Sequence, residues 1–211
     1  MAKNTNLSSS PLGREVAYVS QYDSDLLFSV PRSTNRLNIA VDDKALLFGG
    51  VDYWQGYELS WLNQKGKPLV AVAEFSFLCS SPNIIESKSF KLYLNSFNQT
   101  PFSSFDEVKI CLENDLSQAS GGQVVVTLHP VASYLPEQTN WQEFTCIDDL
   151  DVEVERYALN PELLMLEDDG VVEETLCSHL LKSNCPITGQ PDWASVLIRY
   201  QGNKISHESL L

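Results

Sequence analysis

The stretch P-L-V-A-V-A-E-F-S-F-L, Pro68 to Leu78, decides the fold because its side chains alternate. Leu69, Ala71, Ala73, Phe75 and Phe77 fall on one face, and Val70, Val72, Glu74 and Ser76 on the other, the period of a strand with one face buried. Upstream, Y-E-L-S-W-L-N (57–63) reads as its partner, with Q-K-G-K as the hairpin turn. After Ser80-Ser81-Pro82 the period changes: Phe90, Tyr93, Leu94 and Phe97 fall at i, i+3, i+4 and i+7, one face of a helix that Thr100-Pro101 closes. A second helix follows Ser104, whose hydroxyl can cap the first turn while Glu107 completes a capping box. Its apolar stripe is Val108, Cys111, Leu112 and Leu116, and Gly121-Gly122 ends it. V-V-V-T-L (124–128) returns as a strand. Strand, strand, helix, helix, strand predicts an α+β layer, an antiparallel sheet with helices on one face.

Further along, V-V-E-E-T-L-C-S-H-L-L-K-S (171–183) and W-A-S-V-L-I-R-Y-Q (193–201) flank a loop and read as a second hairpin. Gly202-Asn203 turns, and Ser206-His207-Glu208-Ser209-Leu210-Leu211 begins a helix, repeating at low resolution the strand, turn and Ser-led helix of residues 69–97. The expected organisation is a mobile N-terminal arm (1–25), a first unit (26–145), an acidic connector (146–170) and the start of a second unit (171–211). A helix nucleus this short is unstable alone, so the chain is expected to be a fragment whose second unit is incomplete.

The 211 residues are 43% hydrophobic, enough for a real core. No signal-peptide h-region opens the chain and no run approaches membrane-spanning length, so a cytoplasmic protein is expected. Charge divides unevenly. Residues 1–104 carry nine basic and nine acidic side chains; residues 105–211 carry five against nineteen, the whole net charge of −14. Such a chain lacks the clustered Lys and Arg that a nucleic-acid backbone requires. Its five cysteines form an odd set without C-x-x-C spacing, and three histidines accompany them, so neither a disulfide framework nor a metal site is expected. Neither G-x-G-x-x-G nor G-x-x-x-x-G-K occurs, which argues against a Rossmann site and a P-loop.

Two places can hold chemistry. In S-N-C-P-I-T-G-Q-P-D-W-A-S (183–195), Pro186, Gly189 and Pro191 force a reversal that can set Cys185 beside Asp192; the pair is either a nucleophile with its acid or a buried thiol and a turn residue. In I-I-E-S-K-S-F-K-L-Y-L (84–94), Lys88 and Lys91 sit in the opening turn of a helix, where the macrodipole disfavours cations. They can bind a phosphate together with the helix-end N–H groups and Ser87, or point into water. Glu86 can cap that helix or accept the N–H edge of a heterocycle.

Together, I-E-S-K-S-F-K-L-Y-L-N-S-F-N-Q-T (85–100) and L-L-K-S-N-C-P-I-T-G-Q-P-D-W-A-S (180–195) resemble the signatures of the NADPH-dependent 7-cyano-7-deazaguanine reductases of queuosine biosynthesis, in their long two-unit form. V-P-R-S-T-N-R (30–36), Y-E-L-S-W-L-N (57–63) and C-I-D-D (146–149) extend the resemblance over nearly the whole chain. It implies tandem tunnelling-fold (T-fold) units assembled as homodimers. It also implies that Cys185 attacks the nitrile carbon to form a thioimide, that Asp192 donates a proton, and that two NADPH complete the reduction to an aminomethyl group. Ile85, Glu86 and Ser87 would contact the base; Ser87 and Lys88 would hold NADPH. The family's His-Glu substrate pair and an Arg-containing cofactor segment would lie beyond Leu211. Two rivals remain: a non-catalytic T-fold purine- or pterin-binding subunit, and another cysteine enzyme with Cys177 or His179 as helper.

Overall fold

The structure, a computed structural model, describes residues 17–43, 45–158, 160–185 and 188–211, apart from the side chain of Asp169. The chain forms two compact units, Met1–Leu135 and Pro136–Leu211. Of the expected arm, residues 1–16 lie outside the described residues, as does the predicted breaker Pro186.

In the first unit a two-stranded ribbon pairs β1 (Ser29–Pro31) with β4 (Asn83–Ile85), and a three-stranded antiparallel sheet has the order β2 (Val51–Leu62), β3 (Pro68–Leu78), β5 (Val124–Pro130). The short helix α1 (Arg32–Arg36) follows β1. Trp61 pairs with Leu69 and Leu59 with Ala71 in the β2–β3 hairpin. Its turn is held by Asn63, whose Oδ1 accepts the Lys65 and Lys67 N–H groups at 2.9 and 3.0 Å. Gly66 takes φ +78° there, a backbone that side chains disfavour.

The alternation predicted for β3 is realised: Ala71, Ala73, Phe75 and Phe77 are buried. Over them lie α2 (Ser87–Ser96) and α3 (Phe105–Ser120), contributing Phe90, Tyr93, Val108, Leu112 and Leu116 to one core with Leu59, Trp61 and Val126. Each such side chain contributes roughly 1.5–3 kcal/mol of transfer free energy on burial. Val72 departs from the simple pattern, being buried although it belongs to the other face. Ser104 caps α3, its Oγ accepting the Glu107 N–H at 3.1 Å. The return half of the box differs from expectation: Glu107 accepts from the N–H of Ser103, 2.6 Å away. Gly121, at φ +73°, ends the helix.

Residues 18–23 of the expected arm are tied to the end of α2. Gln99 donates its N–H to the Ser20 carbonyl, Tyr22 its N–H to Thr100 Oγ1, and Asp23 its N–H to Ser96 Oγ. Composition conceals such contacts because backbone groups of the arm make them.

In the second unit the hairpin of β7 (Leu166–Asn184) and β8 (Pro191–Ile205) is antiparallel, with bulges between Leu166 and Val171 and between Ser178 and Leu181. β7 thus begins inside the expected acidic connector. A short strand, β6 (Thr145–Cys146), joins the sheet in parallel, Cys146 opposite Cys177, a pairing the sequence reading did not anticipate. The final helix α4 (His207–Leu210) starts at Ser206, whose Oγ accepts the Ser209 N–H, as the sequence predicts. Among the described residues no helix is long and apolar enough to cross a membrane.

Candidate functional site

The β1–β4 ribbon delivers the chain into α2. Ile85 pairs with Ser29 and is buried, and the next residue, Glu86, donates its N–H to the Phe28 carbonyl. Glu86 is 6% exposed and caps α2: Oε1 accepts the Lys88 N–H and Oε2 the Ser89 N–H, both at 2.8 Å. One premise of the sequence reading is thereby corrected, since these helix-end N–H groups are already satisfied and do not await an anion. The carboxylate keeps acceptor capacity beyond them, because two oxygens offer about four lone-pair directions. Ser87 Oγ lies 3.4 Å from Oε1.

Beside this corner is a groove of about 360 Å³ between β2 and α2, lined by Trp54, Glu58, Ser87, Phe90, Lys91 and Asn95 among others. Ser87, Lys91 and Asn95 stand at i, i+4 and i+8, so one ridge of α2 presents a hydroxyl, an ammonium and an amide in line. Lys91, expected to act with Lys88, lines the groove; Lys88 is half-buried and is not among the lining residues. Trp54, which composition alone reads as a core or interface residue, forms one wall of the groove.

Cys185 and Asp192 occupy the closed end of the β7–β8 hairpin. Ser183 pairs with Asp192 and Asn184 with Pro191; the register continues one step, the Cys185 N–H donating to the Gln190 carbonyl at 2.8 Å. The Gly189 N–H closes the turn on the Cys185 carbonyl at 2.9 Å, with Gly189 at φ +71°. Residues opposite one another share a face and so do residues two apart, so Cys185 and Asp192 are diagonal neighbours on one face, about 7–8 Å apart between backbones. Asp192 is exposed and Cys185 half-buried. His179 precedes Cys185 by six strand residues, roughly 20 Å along β7, and Cys177 is farther still. Neither can assist Cys185, which removes the helper from the second rival reading. Cys185 and Asp192 belong to the second unit, whereas Ile85, Glu86, Ser87 and Lys88 belong to the first.

Residues 18–128 match the family model described as "Nitrile reductase, 7-cyano-7-deazaguanine-reductase N-term". Over longer spans the chain is similar to curated proteins named NADPH-dependent 7-cyano-7-deazaguanine reductase. It is 52% identical to the one from Chromohalobacter salexigens, over 99% of this chain and 75% of the relative. The protein from Chromobacterium violaceum is also 52% identical, over 96% of this chain and 72% of the relative. That from Hydrogenovibrio crunogenus matches at 52% over 100% of this chain and 76% of its own length. Identity of this order across both compact units, with the Cys185 hairpin and the Glu86 helix start inside the aligned span, places the chain in the family of NADPH-dependent 7-cyano-7-deazaguanine reductases.

Proposed function

We propose that this chain is an oxidoreductase that uses NADPH to reduce the nitrile of 7-cyano-7-deazaguanine to an aminomethyl group through a thioimide on Cys185, a reaction of queuosine biosynthesis. The observation that carries the reading is the hairpin end that sets Cys185 and Asp192 on one face of adjacent strands. A nitrile carbon is a modest electrophile, so attack by sulfur needs a proton delivered to nitrogen as charge develops there. Cys185 adds across the triple bond, forming the C–S bond and breaking one C–N π bond, while Asp192 gives its proton to the nitrogen. The diagonal spacing leaves room for a nitrile between the two groups.

Glu86, with Ile85 and Ser87, recognises the base. The remaining lone pairs of the buried carboxylate accept the N–H edge of the deazaguanine, while its two helix-end bonds hold it still. NADPH, when bound, supplies hydride. The residues present suit a polyanionic nucleotide: Ser87 offers a hydroxyl, Lys91 an ammonium on the groove and Lys88 a second cation near it. Because Glu86 satisfies the helix-end N–H groups, side-chain cations rather than backbone donors hold the phosphates. Two T-fold units in tandem, with chains paired as homodimers, are the architecture this reading implies.

The test combines NADPH oxidation in the presence of 7-cyano-7-deazaguanine with intact-mass detection of an adduct equal to the whole substrate. An adduct that persists in Cys185→Ala would overturn the assignment. Base binding without NADPH oxidation would instead favour a base-binding unit that does not turn over.

A further inference from the structure

The parallel pairing of β6 with β7 assembles a set of side chains that the reductase reading leaves without a task. Cys146 stands opposite Cys177, and the Ile147 N–H donates to the Cys177 carbonyl at 3.0 Å, locking that register. Two short patterns thereby come into line, C-I-D at 146–148 and C-S-H at 177–179. One ligand atom from each of Cys146, Cys177 and His179 lies within 4.8 Å of the other two. Asp148 stands beside this set: its Oδ2 accepts the His179 N–H at 3.0 Å, and its Oδ1 is buried with no hydrogen-bond partner among the described residues.

We infer that Cys146, Cys177 and His179 bind a thiophilic divalent cation of the zinc class, with Asp148 the adjacent carboxylate that can close its fourth position. Two sulfurs and an imidazole select such an ion over magnesium or calcium, which prefer all-oxygen sets. Tetrahedral zinc places sulfur at about 2.3 Å and nitrogen at about 2.0 Å, so its donors are roughly 3.3–3.8 Å apart and these three need close by no more than about 1 Å. The imidazole is already oriented, Nδ1 lying 2.6 Å from Ser195 Oγ and the Trp141 ring meeting it edge-on with centroids 4.9 Å apart. Outer partners of this kind fix the ring of a metal-bound histidine. Two paired residues alone hold β6 to β7 by strand pairing, so a metal clip would be the main tie between them.

The full chain, kept reduced with a phosphine and stripped with a chelator, should be titrated with Co²⁺ alone and then with Zn²⁺. One Co²⁺ per chain is expected, with the thiolate charge-transfer absorption and strong visible bands of a tetrahedral site, displaced by Zn²⁺. Cys146 is exposed, so Cys146→Ala should keep the wild-type far-UV circular dichroism. That variant and His179→Ala should bind Co²⁺ about a hundredfold more weakly, whereas Cys185→Ala should bind as wild type does. No uptake by the reduced chain, uptake undiminished in Cys146→Ala, uptake lost in Cys185→Ala, or the weak spectrum of an octahedral ion would each overturn the site. So would a Cys146–Cys177 disulfide that forms once reductant is removed from a chain that takes up no Co²⁺.

Discussion

At the hairpin end, the proposed nucleophile Cys185 and the proposed acid Asp192 lie on opposite sides of the turn, so their contributions separate on substitution. Cys185→Ala should abolish the adduct while leaving base binding measurable, because the proposed recognition group, Glu86, is a distinct side chain held by its own hydrogen bonds. Asp192→Asn should form the adduct about a hundredfold more slowly or worse, since the amide keeps the shape but cannot deliver the proton. An unchanged rate in stopped-flow or timed mass measurements would show that another group supplies it. The α2 lysines should divide as well. Lys91 lines the groove, so Lys91→Ala should raise the KM for NADPH more than Lys88→Ala, and neither should change adduct formation, which needs no hydride. A larger effect from Lys88 would place the phosphates off the groove.

The helices of the first unit are held to each other by a carboxylate as well as by the apolar core. Asp115 of α3 accepts the hydroxyl of Tyr93 of α2 at 2.6 Å and that of Tyr22 at 2.7 Å, and the Cys111 thiol lies 3.7 Å away. Burial, reinforced by the Asp115 charge, raises both tyrosines and pushes Cys111 up to about 11 from an ordinary 9.0. Groups raised in the folded state stabilise it fully below their unfolded pKa values and lose that contribution as pH rises through the folded ones. The first unit should therefore hold its stability to about pH 9 and weaken above it. Thermal melts from pH 7 to 11 should show the decline, and Tyr93→Phe should lower Tm at pH 7 while making the alkaline slope shallower. A slope identical to wild type would assign the alkaline sensitivity elsewhere. The cap of α3 is a simpler case: Ser104→Ala should cost about 1 kcal/mol in denaturant melts, because the Glu107 N–H loses its acceptor.

Across the whole molecule, the second unit leaves large apolar side chains in solvent on its hairpin: Trp193 and Leu197, four residues apart on β8 and so on one face, are 60% and 44% exposed. Patches of this kind mark association surfaces. Sedimentation over a range of concentrations should show self-association that Trp193→Gln with Leu197→Gln weakens; a monomer at every concentration would count against both this surface and the proposed homodimer. The sequence by itself determined the hairpin of β2 and β3, the helical faces of α2 and α3, the Ser104 and Ser206 caps and the reversal between Cys185 and Asp192. Each rests on a period, a cap or a breaker, signals that act within a few residues. Only the tertiary structure decided that residues 18–23 bond to the end of α2, that Glu86 already satisfies the helix-end donors expected to meet an anion, and that Lys91 lines the groove. It alone brought Cys146 opposite Cys177, thirty-one residues later, by a parallel pairing two residues long. No local period encodes which strand a two-residue segment will join, because that choice follows from where the rest of the chain has already packed.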